Sequence, residues 1–252
     1  MTLHIFLSGE FMAVRPVFIP TREGEALVDI VNVDFSWSPG LAVSQKQKSI
    51  AALHDGYARM SPGAKILEVS SKSPDALGVQ LSAFNMGVGS LGGQFISVES
   101  LFQSSKVFTD SGTVRGPFRE LMRKAPKEAR RAEVLKTSGR LTHFSFQPNE
   151  AREPVIWPLE PKSAFYDWLY LNALYHSPCK EQVLNYSAFT DIEFNPAKSV
   201  NCQAYSVALW CALRQRQLLT AAIPPRDAFI ALIERFTIYN TSDGDLRNMS
   251  LF

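Results

Sequence analysis

Apolar and polar positions alternate along several short stretches in the first third of the chain, with the period of two that is typical of half-buried β-strands. The alternation is clearest from Val31 to Phe35. Between the second and third of these stretches, the pattern predicts a helix that follows a Ser44 N-cap and ends near Met60. The predicted strands, which indicate a small β-sheet, cover residues 17–19, 27–35 and 65–69.

In the rest of the chain, apolar positions recur every third or fourth residue, as expected for amphipathic helices. The predicted helices cover residues 98–108, 117–136, 163–176, 200–218 and 226–236. We therefore expect an α+β fold, predominantly helical, with a small β-sheet from the N-terminal half. The expected organisation is an N-terminal strand and helix extension (residues 1–60) packed on a core domain (residues 61–240), followed by a loose tail (residues 241–252).

The amino-acid composition limits the classes of protein to which this chain can belong. The chain of 252 residues is 46% hydrophobic and 20% charged, which is ordinary for a globular protein and sufficient for a substantial core. No apolar run approaches the roughly 18 to 20 residues that a membrane span requires, so we expect no membrane partner. The apolar stretch at residues 3–7 is too short for a signal peptide, and the sequence therefore does not indicate export.

The cysteines and histidines do not form a recognisable metal or disulfide motif. Cys179, Cys202 and Cys211 lack the paired spacing of a zinc site or a disulfide framework, so we expect buried thiols in a reducing cytoplasm. The four histidines are scattered along the chain. We therefore expect no catalytic metal and no cofactor.

One stretch of the chain is strongly basic. Residues 115–140 contain nine basic and three acidic side chains, a local excess of +6 in a chain whose net charge is +2. This stretch is either a solvated helical face or a contact surface for a polyanion, and its arginines slightly favour nucleic acid. The candidate nucleic-acid-binding residues are Arg115, Arg119, Arg123, Lys124, Lys127, Arg130 and Arg131.

A short polar pattern carries the candidate chemistry. On a helix capped by Ser97, the side chains of Glu99, Gln103 and Lys106 follow one another at i, i+4 and i+7. A carboxylate, an amide and an amine would then project from one stripe. The alternative is an amphipathic helix whose polar face simply meets water.

Two other features have structural explanations. Residues 87–93 contain a formal Gly-x-Gly-x-x-Gly, but the helix that a dinucleotide site needs begins only near Ser97, so we expect a flexible turn. Asp167 lies among aromatic residues of a predicted helix, where a carboxyl group either finds a partner or has a perturbed pKa.

Four short segments, taken in chain order, resemble those of one known family. They are a strand that runs into serines (residues 66–73), Leu-Ser-Ala-Phe (residues 81–84), the Glu-to-Phe segment (residues 99–108), and Phe-Thr-Asp (residues 189–191) followed by Lys198 and Asn201. This arrangement is similar to the NADAR family of nucleotide-modifying enzymes. The chain departs from the family at Ala83, where asparagine is usual, at Ser100, where histidine is usual, and in the wide interval between Lys198 and Asn201.

The resemblance implies hydrolysis of an N-glycosidic bond that joins ADP-ribose to a nucleobase, with guanine in DNA or RNA as the favoured base. It implies that Lys106 attacks the anomeric carbon, that Glu99 is the acid/base, and that Asp191 orients or stabilises the sugar. The implied substrate-binding residues are Ser70, Lys72, Ser82, Phe84, Gln103, Lys198 and Asn201.

The implied partners are ADP-ribosylated nucleic acid or nucleotide and a cognate ADP-ribosyltransferase toxin encoded nearby, in an antitoxin or repair role. Two alternatives stay open. One is an N-glycosidase for small molecules of the riboflavin pathway. The other is an inactive module that binds ADP-ribose or nucleic acid, since Ala83 and Ser100 replace two usual family residues.

Overall fold

The structure is a computed structural model that describes residues 4–5, 11–91, 94–147 and 151–237. In chain order the strands are β1 (His4–Ile5), β2 (Phe11–Pro20), β3 (Val28–Trp37), β4 (Ile66–Glu68), β5 (Gly87–Leu91), β6 (Gln94–Ser97), β7 (Lys106–Asp110), β8 (Thr113–Arg115), β9 (Arg140–Phe146), β10 (Val155–Trp157) and β11 (Ala188–Thr190). The helices are α1 (Val43–Met60), α2 (Ala76–Gln80), α3 (Val98–Ser104), α4 (Pro126–Arg131), α5 (Glu133–Thr137), α6 (Ala164–His176), α7 (Gln203–Gln215) and α8 (Arg226–Ile233). Short 3-10 helices are formed by Arg119–Arg123 and Gln182–Asn185.

The chain folds as two compact units. Of the described residues, unit 1 comprises 4–5, 11–82, 179–221 and 236–237, and unit 2 comprises 83–91, 94–147, 151–178 and 222–235. Each unit is therefore assembled from segments that are distant in the sequence. The predicted division at residues 60 and 240 stays a prediction, and the predicted tail at 241–252 lies outside the described residues.

A five-stranded sheet forms the centre of unit 1. Its order is β1-β2-β11-β4, with β3 also paired to β2. β11 and β4 are parallel, with Thr190 opposite Glu68. Helix α1 packs on β3 and α7 packs on β2, because each presents an apolar stripe to the sheet. The core between α1 and the sheet includes Val17, Val33, Phe35, Ile50, Leu53 and Tyr57.

Unit 2 contains an antiparallel four-stranded sheet in the order β10-β9-β7-β8 and the two-stranded sheet β5-β6. Every residue of α3 is buried, and α3 packs against α6. Most aromatic side chains of α6 pack in the core. Ring contacts with centroids 4.8 to 6.0 Å apart link Phe102, Phe144, Phe165, Trp157 and Trp168.

Several predicted elements are confirmed with shifted ends. The three predicted strands occur as β2, β3 and β4, and the helices predicted at 163–176, 200–218 and 226–236 occur as α6, α7 and α8. The helix predicted from residue 45 occurs as α1, but it begins at Val43 with Ala42 as its N-cap, so Ser44 lies inside the first turn. The three cysteines are buried and free, as predicted.

The structure is mixed α/β, and the expectation of a predominantly helical domain with one small sheet is not supported. The missed strands belong mainly to unit 2. In β9, Leu141, Phe144 and Phe146 are buried, so the apolar positions do not follow a strict period of two along the strand. Strands this short are specified by their sheet partners more than by their own pattern.

Two predicted helices are wrong in extent. The helix predicted at 98–108 ends at Ser104, and Lys106 begins strand β7, because Val107 and Phe108 favour a strand that β8 and β9 can pair. The helix predicted at 117–136 is instead one 3-10 helix followed by α4 and α5. Pro126 explains the break, since proline fits the first turn of a new helix but not a helix interior.

The flexible turn predicted at residues 87–93 is also wrong for its described part. Gly87–Leu91 forms strand β5, which pairs antiparallel with β6, while residues 92–93 lie outside the described residues. The pairing leaves no helix directly after the glycines, so the rejection of a dinucleotide fingerprint agrees with the structure.

Candidate functional site

Helix α3 is buried rather than amphipathic. The Ser97 hydroxyl caps its N-terminus by accepting a hydrogen bond from the Ser100 amide at 3.0 Å. Glu99 is only 7% exposed and Gln103 only 6% exposed. The alternative of a polar face that meets water is therefore wrong, and the helix carries a carboxyl group into the interior of unit 2.

Gln103 holds Glu99 in place. Its Nε2 donates a hydrogen bond to Glu99 Oε1 at 2.9 Å, and this assignment of the amide follows because a carboxylate only accepts. The other amide atom, Gln103 Oε1, is buried and has no hydrogen-bond partner among the described residues. A buried acceptor of this kind is suited to a donor that a ligand would bring, such as a sugar hydroxyl.

Lys106 reaches the same interior from β7, not from the helix. It is 4% exposed, and its Nζ lies 5.1 Å from the centre of the Phe102 ring. Burial lowers the pKa of the Lys106 amine to about 8, the charge of Glu99 raises this pKa, and the charge of Arg130 lowers it further. Glu99 and Lys106 are therefore connected by the turn from α3 into β7, and not by the single helix that their spacing predicts.

The basic stretch packs beside this helix. Helix α4 contacts α3, and Arg130 Nε lies 3.9 Å from Glu99 Oε1. The Ser100 hydroxyl donates a hydrogen bond to the main-chain oxygen of Lys124 at 3.2 Å. The seven candidate nucleic-acid-binding side chains are all exposed. Positive charge thus extends from the surface of unit 2 to the buried Glu99.

The two departures from the family differ in consequence. Ser100, where histidine is usual, ties α3 to the basic stretch through Lys124. Ala83, where asparagine is usual, keeps a main-chain contact, since its carbonyl accepts a hydrogen bond from the Glu99 amide at 3.1 Å. The N-terminus of α3 is therefore held without the missing asparagine side chain.

A second group of buried polar residues lies in unit 1, at the ends of the parallel strands β4 and β11. Glu68, the last residue of β4, is 1% exposed and accepts hydrogen bonds from the Thr190 hydroxyl at 2.6 Å and the Ile192 amide at 2.8 Å. Asp191 follows β11, and its Oδ1 accepts the amides of Glu193 and Phe194. Burial and the nearby Glu68 raise the pKa of Asp191 well above its usual value.

Three residues in this group were missed by the sequence analysis: Glu68, His54 and Arg15. His54 Nε2 lies 2.8 Å from Thr190 Oγ1, and burial lowers the pKa of His54 to about 4. Arg15 is 6% exposed, and its Nε has no hydrogen-bond partner among the described residues. A signal was present, because Glu68 and Arg15 are charged residues inside otherwise apolar strands.

The remaining predicted site residues are divided between the units. Ser70 is buried in unit 1, where its hydroxyl oxygen accepts the Lys72 amide, and Ser82 is buried in the same unit. Lys198 is exposed. Partly buried positions are occupied by Lys72, Phe84 and Asn201. Of the predicted set, the structure brings together Glu99, Gln103 and Lys106 in unit 2.

Asp167 has found a partner, which is one of the two outcomes expected for it. It is buried in α6 of unit 2, and the Ser163 hydroxyl donates a hydrogen bond to its Oδ2 at 2.7 Å.

Across the described ranges, His, Cys, Asp and Glu side chains form no group of three that could hold a metal ion. Within the same ranges, no helix combines the length and apolar character of a membrane span.

Comparison with known proteins identifies the family to which the chain belongs. No curated protein matches the chain. The model of the family described as DarT1-associated NADAR antitoxin matches residues 13–243, which is most of the chain and includes the α3–β7 segment of unit 2 and the β4 and β11 strands of unit 1. The chain therefore belongs to the NADAR family, as a DarT1-associated NADAR antitoxin.

Proposed function

We propose that this protein is an N-glycosidase that removes ADP-ribose from a modified nucleobase in nucleic acid, with guanine as the favoured base. The observation that carries the proposal is the buried Lys106 amine, which shares the interior of unit 2 with the Glu99–Gln103 pair. A lysine nucleophile needs a lowered pKa and a desolvated position, and Lys106 has both.

The proposed reaction begins with the neutral amine of Lys106. Its Nζ bonds to the anomeric carbon while the bond from that carbon to the base nitrogen breaks. Glu99 takes a proton from the attacking amine and passes it to the departing base. The ring oxygen then leaves the anomeric carbon with a proton, which gives an imine, and water hydrolyses the imine to release ADP-ribose and the amine.

Gln103 and the basic stretch support a substrate larger than a free sugar. The unpartnered Gln103 Oε1 would accept a ribose hydroxyl beside the reacting carbon. The exposed cations that lead to Arg130 would hold the phosphates of DNA or RNA on the same unit. This arrangement favours modified nucleic acid over a riboflavin-type small molecule.

The family description supports the biological setting of the proposal. We propose that the substrate is made by a cognate ADP-ribosyltransferase toxin, whose modification this protein reverses. Asp191, Lys72 and Lys198 keep their proposed roles towards the sugar and phosphates on the family resemblance. Ser70, Ser82, Phe84 and Asn201 are proposed as contacts on the same ground.

The test uses an oligonucleotide that carries ADP-ribose on guanine. We expect the wild-type protein to release free ADP-ribose and unmodified DNA, at a rate that rises with pH through about 8 as Lys106 loses its proton. Borohydride should trap the imine as an adduct of increased mass. Lys106→Met should abolish turnover and trapping, whereas Lys65→Met, at an exposed lysine of unit 1, should preserve both.

The outcomes separate the three functions. Wild-type turnover that survives Lys106→Met would overturn the nucleophile assignment. Turnover only of riboflavin-pathway N-glycosides would favour the metabolic enzyme. Binding of ADP-ribose in calorimetry without any turnover would favour the inactive module.

A further inference from the structure

In unit 1, Glu68 makes hydrogen bonds with the residues on both sides of Asp191. Its two carboxyl oxygens accept hydrogen bonds from Thr190 and from Ile192, the residues directly before and after Asp191 in the chain. The distances of 2.6 and 2.8 Å lie within the normal range for hydrogen bonds. Glu68 therefore fixes the main chain on both sides of Asp191.

A third residue extends this contact. Because the Thr190 hydroxyl gives its proton to Glu68, it must accept one from His54 Nε2 across their 2.8 Å contact. Burial keeps His54 neutral down to about pH 4, so it carries its Nε2 proton without a charge. The result is a continuous chain of donors from His54 through Thr190 to Glu68.

Burial raises the pKa of both carboxyl groups, and hydrogen bonds to each of them oppose this shift. Both Glu68 oxygens accept protein donors, and this stabilises the carboxylate form of Glu68. The main-chain donors to Asp191, from Glu193 and Phe194, both reach the same oxygen, Oδ1. The charge of Glu68 also raises the pKa of Asp191, so the two groups titrate as a pair and the proton they share is favoured on Asp191.

We propose that Glu68 is a positioning residue for Asp191, which it holds in place and keeps as the protonated member of the pair, so that Asp191 donates a hydrogen bond to an oxygen of the substrate. This rests on the proposed function only for the contact between Asp191 and substrate. It changes the expected role of Asp191, because a neutral carboxyl group orients a sugar by donation and does not stabilise it as an anion.

The groups around Asp191 shift its pKa in both directions, and the raising effects are the larger ones. Its pKa is raised by burial, by Glu68 and by Glu193, and is lowered by hydrogen bonds from the Glu193 amide and Gln203. Arg15 from β2 also interacts electrostatically with Asp191, and its buried Nε without a hydrogen-bond partner is available to a ligand anion. The groups around the pair on the packed elements are Arg15, His54, Glu193, Cys202 and Gln203.

The experiment follows the Asp191 side-chain carboxyl carbon by ¹³C NMR through a pH titration, with the signal assigned by its loss in Asp191→Asn. We expect the wild-type midpoint well above 4 and a fall of about one unit or more in Glu68→Gln, which keeps the size of the side chain but removes its charge. The matched control is Glu193→Gln, which removes an exposed charge near Asp191 and should change the midpoint much less.

A second variant covers the case in which Glu68→Gln does not fold. Thr190→Val removes the hydroxyl donor to Glu68 and keeps the shape, so the titrations of the two carboxyl groups should move closer together.

The outcomes are distinct for the two proposals. An Asp191 midpoint near 4 in the wild-type protein, or one that neither variant changes, would overturn the positioning role of Glu68. If the NMR midpoints shift as expected but the wild-type protein releases no ADP-ribose, the proposed function fails while the pairing of Glu68 with Asp191 stands.

Discussion

Two charged side chains, Lys106 and Glu68, are almost fully buried in regions that the sequence marks as apolar. Burial shifts their pKa in opposite directions, down for the amine and up for the carboxyl group, because burial penalises the charged form; for Glu68, hydrogen bonds from Thr190 and Ile192 oppose this shift. The pKa of about 8 leaves Lys106 partly deprotonated near neutral pH. Residue chemistry in this protein is thus set by desolvation together with one or two neighbouring charges.

His54 provides a prediction at the scale of a single residue. Its pKa is about 4 in the folded protein and about 6.5 when unfolded, so the unfolded state binds more protons between these values. Folding stability should therefore fall as pH decreases from 6.5 to 4. His54→Gln, which can still donate to Thr190, should remove about 1.5 kcal/mol of the loss between pH 6.5 and pH 5.

The measurement for His54 is urea unfolding at both pH values, where the free energies of wild type and variant are compared at each pH. This comparison separates His54 from the buried acids, whose raised pKa values give the opposite trend with pH. The exposed His176→Gln is the control and should behave as wild type. An unchanged acid sensitivity in His54→Gln would contradict the prediction.

At the scale of elements, β4 carries the buried Glu68 and α3 carries the buried Glu99 and Gln103. Neighbouring segments of the chain hold both elements in position. Helix α2 packs so closely on β4 that a methyl group on Gly78 would overlap with the main-chain oxygen of Glu68 and the Ser73 hydroxyl. Helix α3 is held in a similar way by the main chain of Ala83 and Lys124. Each of these contacts involves at least one main-chain atom, so side-chain patterns alone do not predict them.

Gly78→Ala tests the close approach of α2 to β4. The added methyl group must push the helix from the strand, and we expect the free energy of unfolding to fall by about 1 to 3 kcal/mol. Ala76→Ser, at an exposed position of the same helix, should change it by less than about 0.5 kcal/mol. Denaturant unfolding measures both. Equal stability of the two variants would show that α2 does not rest on β4.

The whole molecule has a small net charge of +2 that is unevenly distributed. The nine basic side chains of residues 115–140 are all exposed on unit 2, interrupted only by three exposed acidic ones. Such a surface raises the local concentration of polyanions and makes their binding depend on salt. This dependence can be measured without knowing the chemistry of the site.

A triple variant tests the basic surface. Changing Arg123, Lys124 and Arg131 to glutamine should weaken binding of a single-stranded oligonucleotide and reduce the slope of log K against log salt by about 2. A charge-matched control changes the exposed Arg22, Arg59 and Lys65 of unit 1. Fluorescence anisotropy over a range of salt concentrations measures both proteins. The same slope in both would mean that residues 115–140 do not contact nucleic acid.

The sequence by itself determined the long elements and the residue types at the candidate site. The strands β2 and β3 and the helices α1, α6 and α7 have enough turns or alternations for their periods to be read directly. The family segments also pointed to Glu99, Gln103 and Lys106. Their spacing was interpreted as one helix, however, although seven residues also accommodate a helix end followed by a strand start.

Only the tertiary structure decided which polar groups lose contact with water. Pairing with β9 makes Lys106 the first residue of β7. The parallel pairing of β4 with β11 brings Glu68 into contact with the residues on both sides of Asp191. These partners are separated by up to 124 residues, and hydrogen bonding and desolvation depend on distance in space rather than along the chain. For this reason the sequence pattern alone does not identify Glu68, His54 and Arg15 as members of one buried polar group.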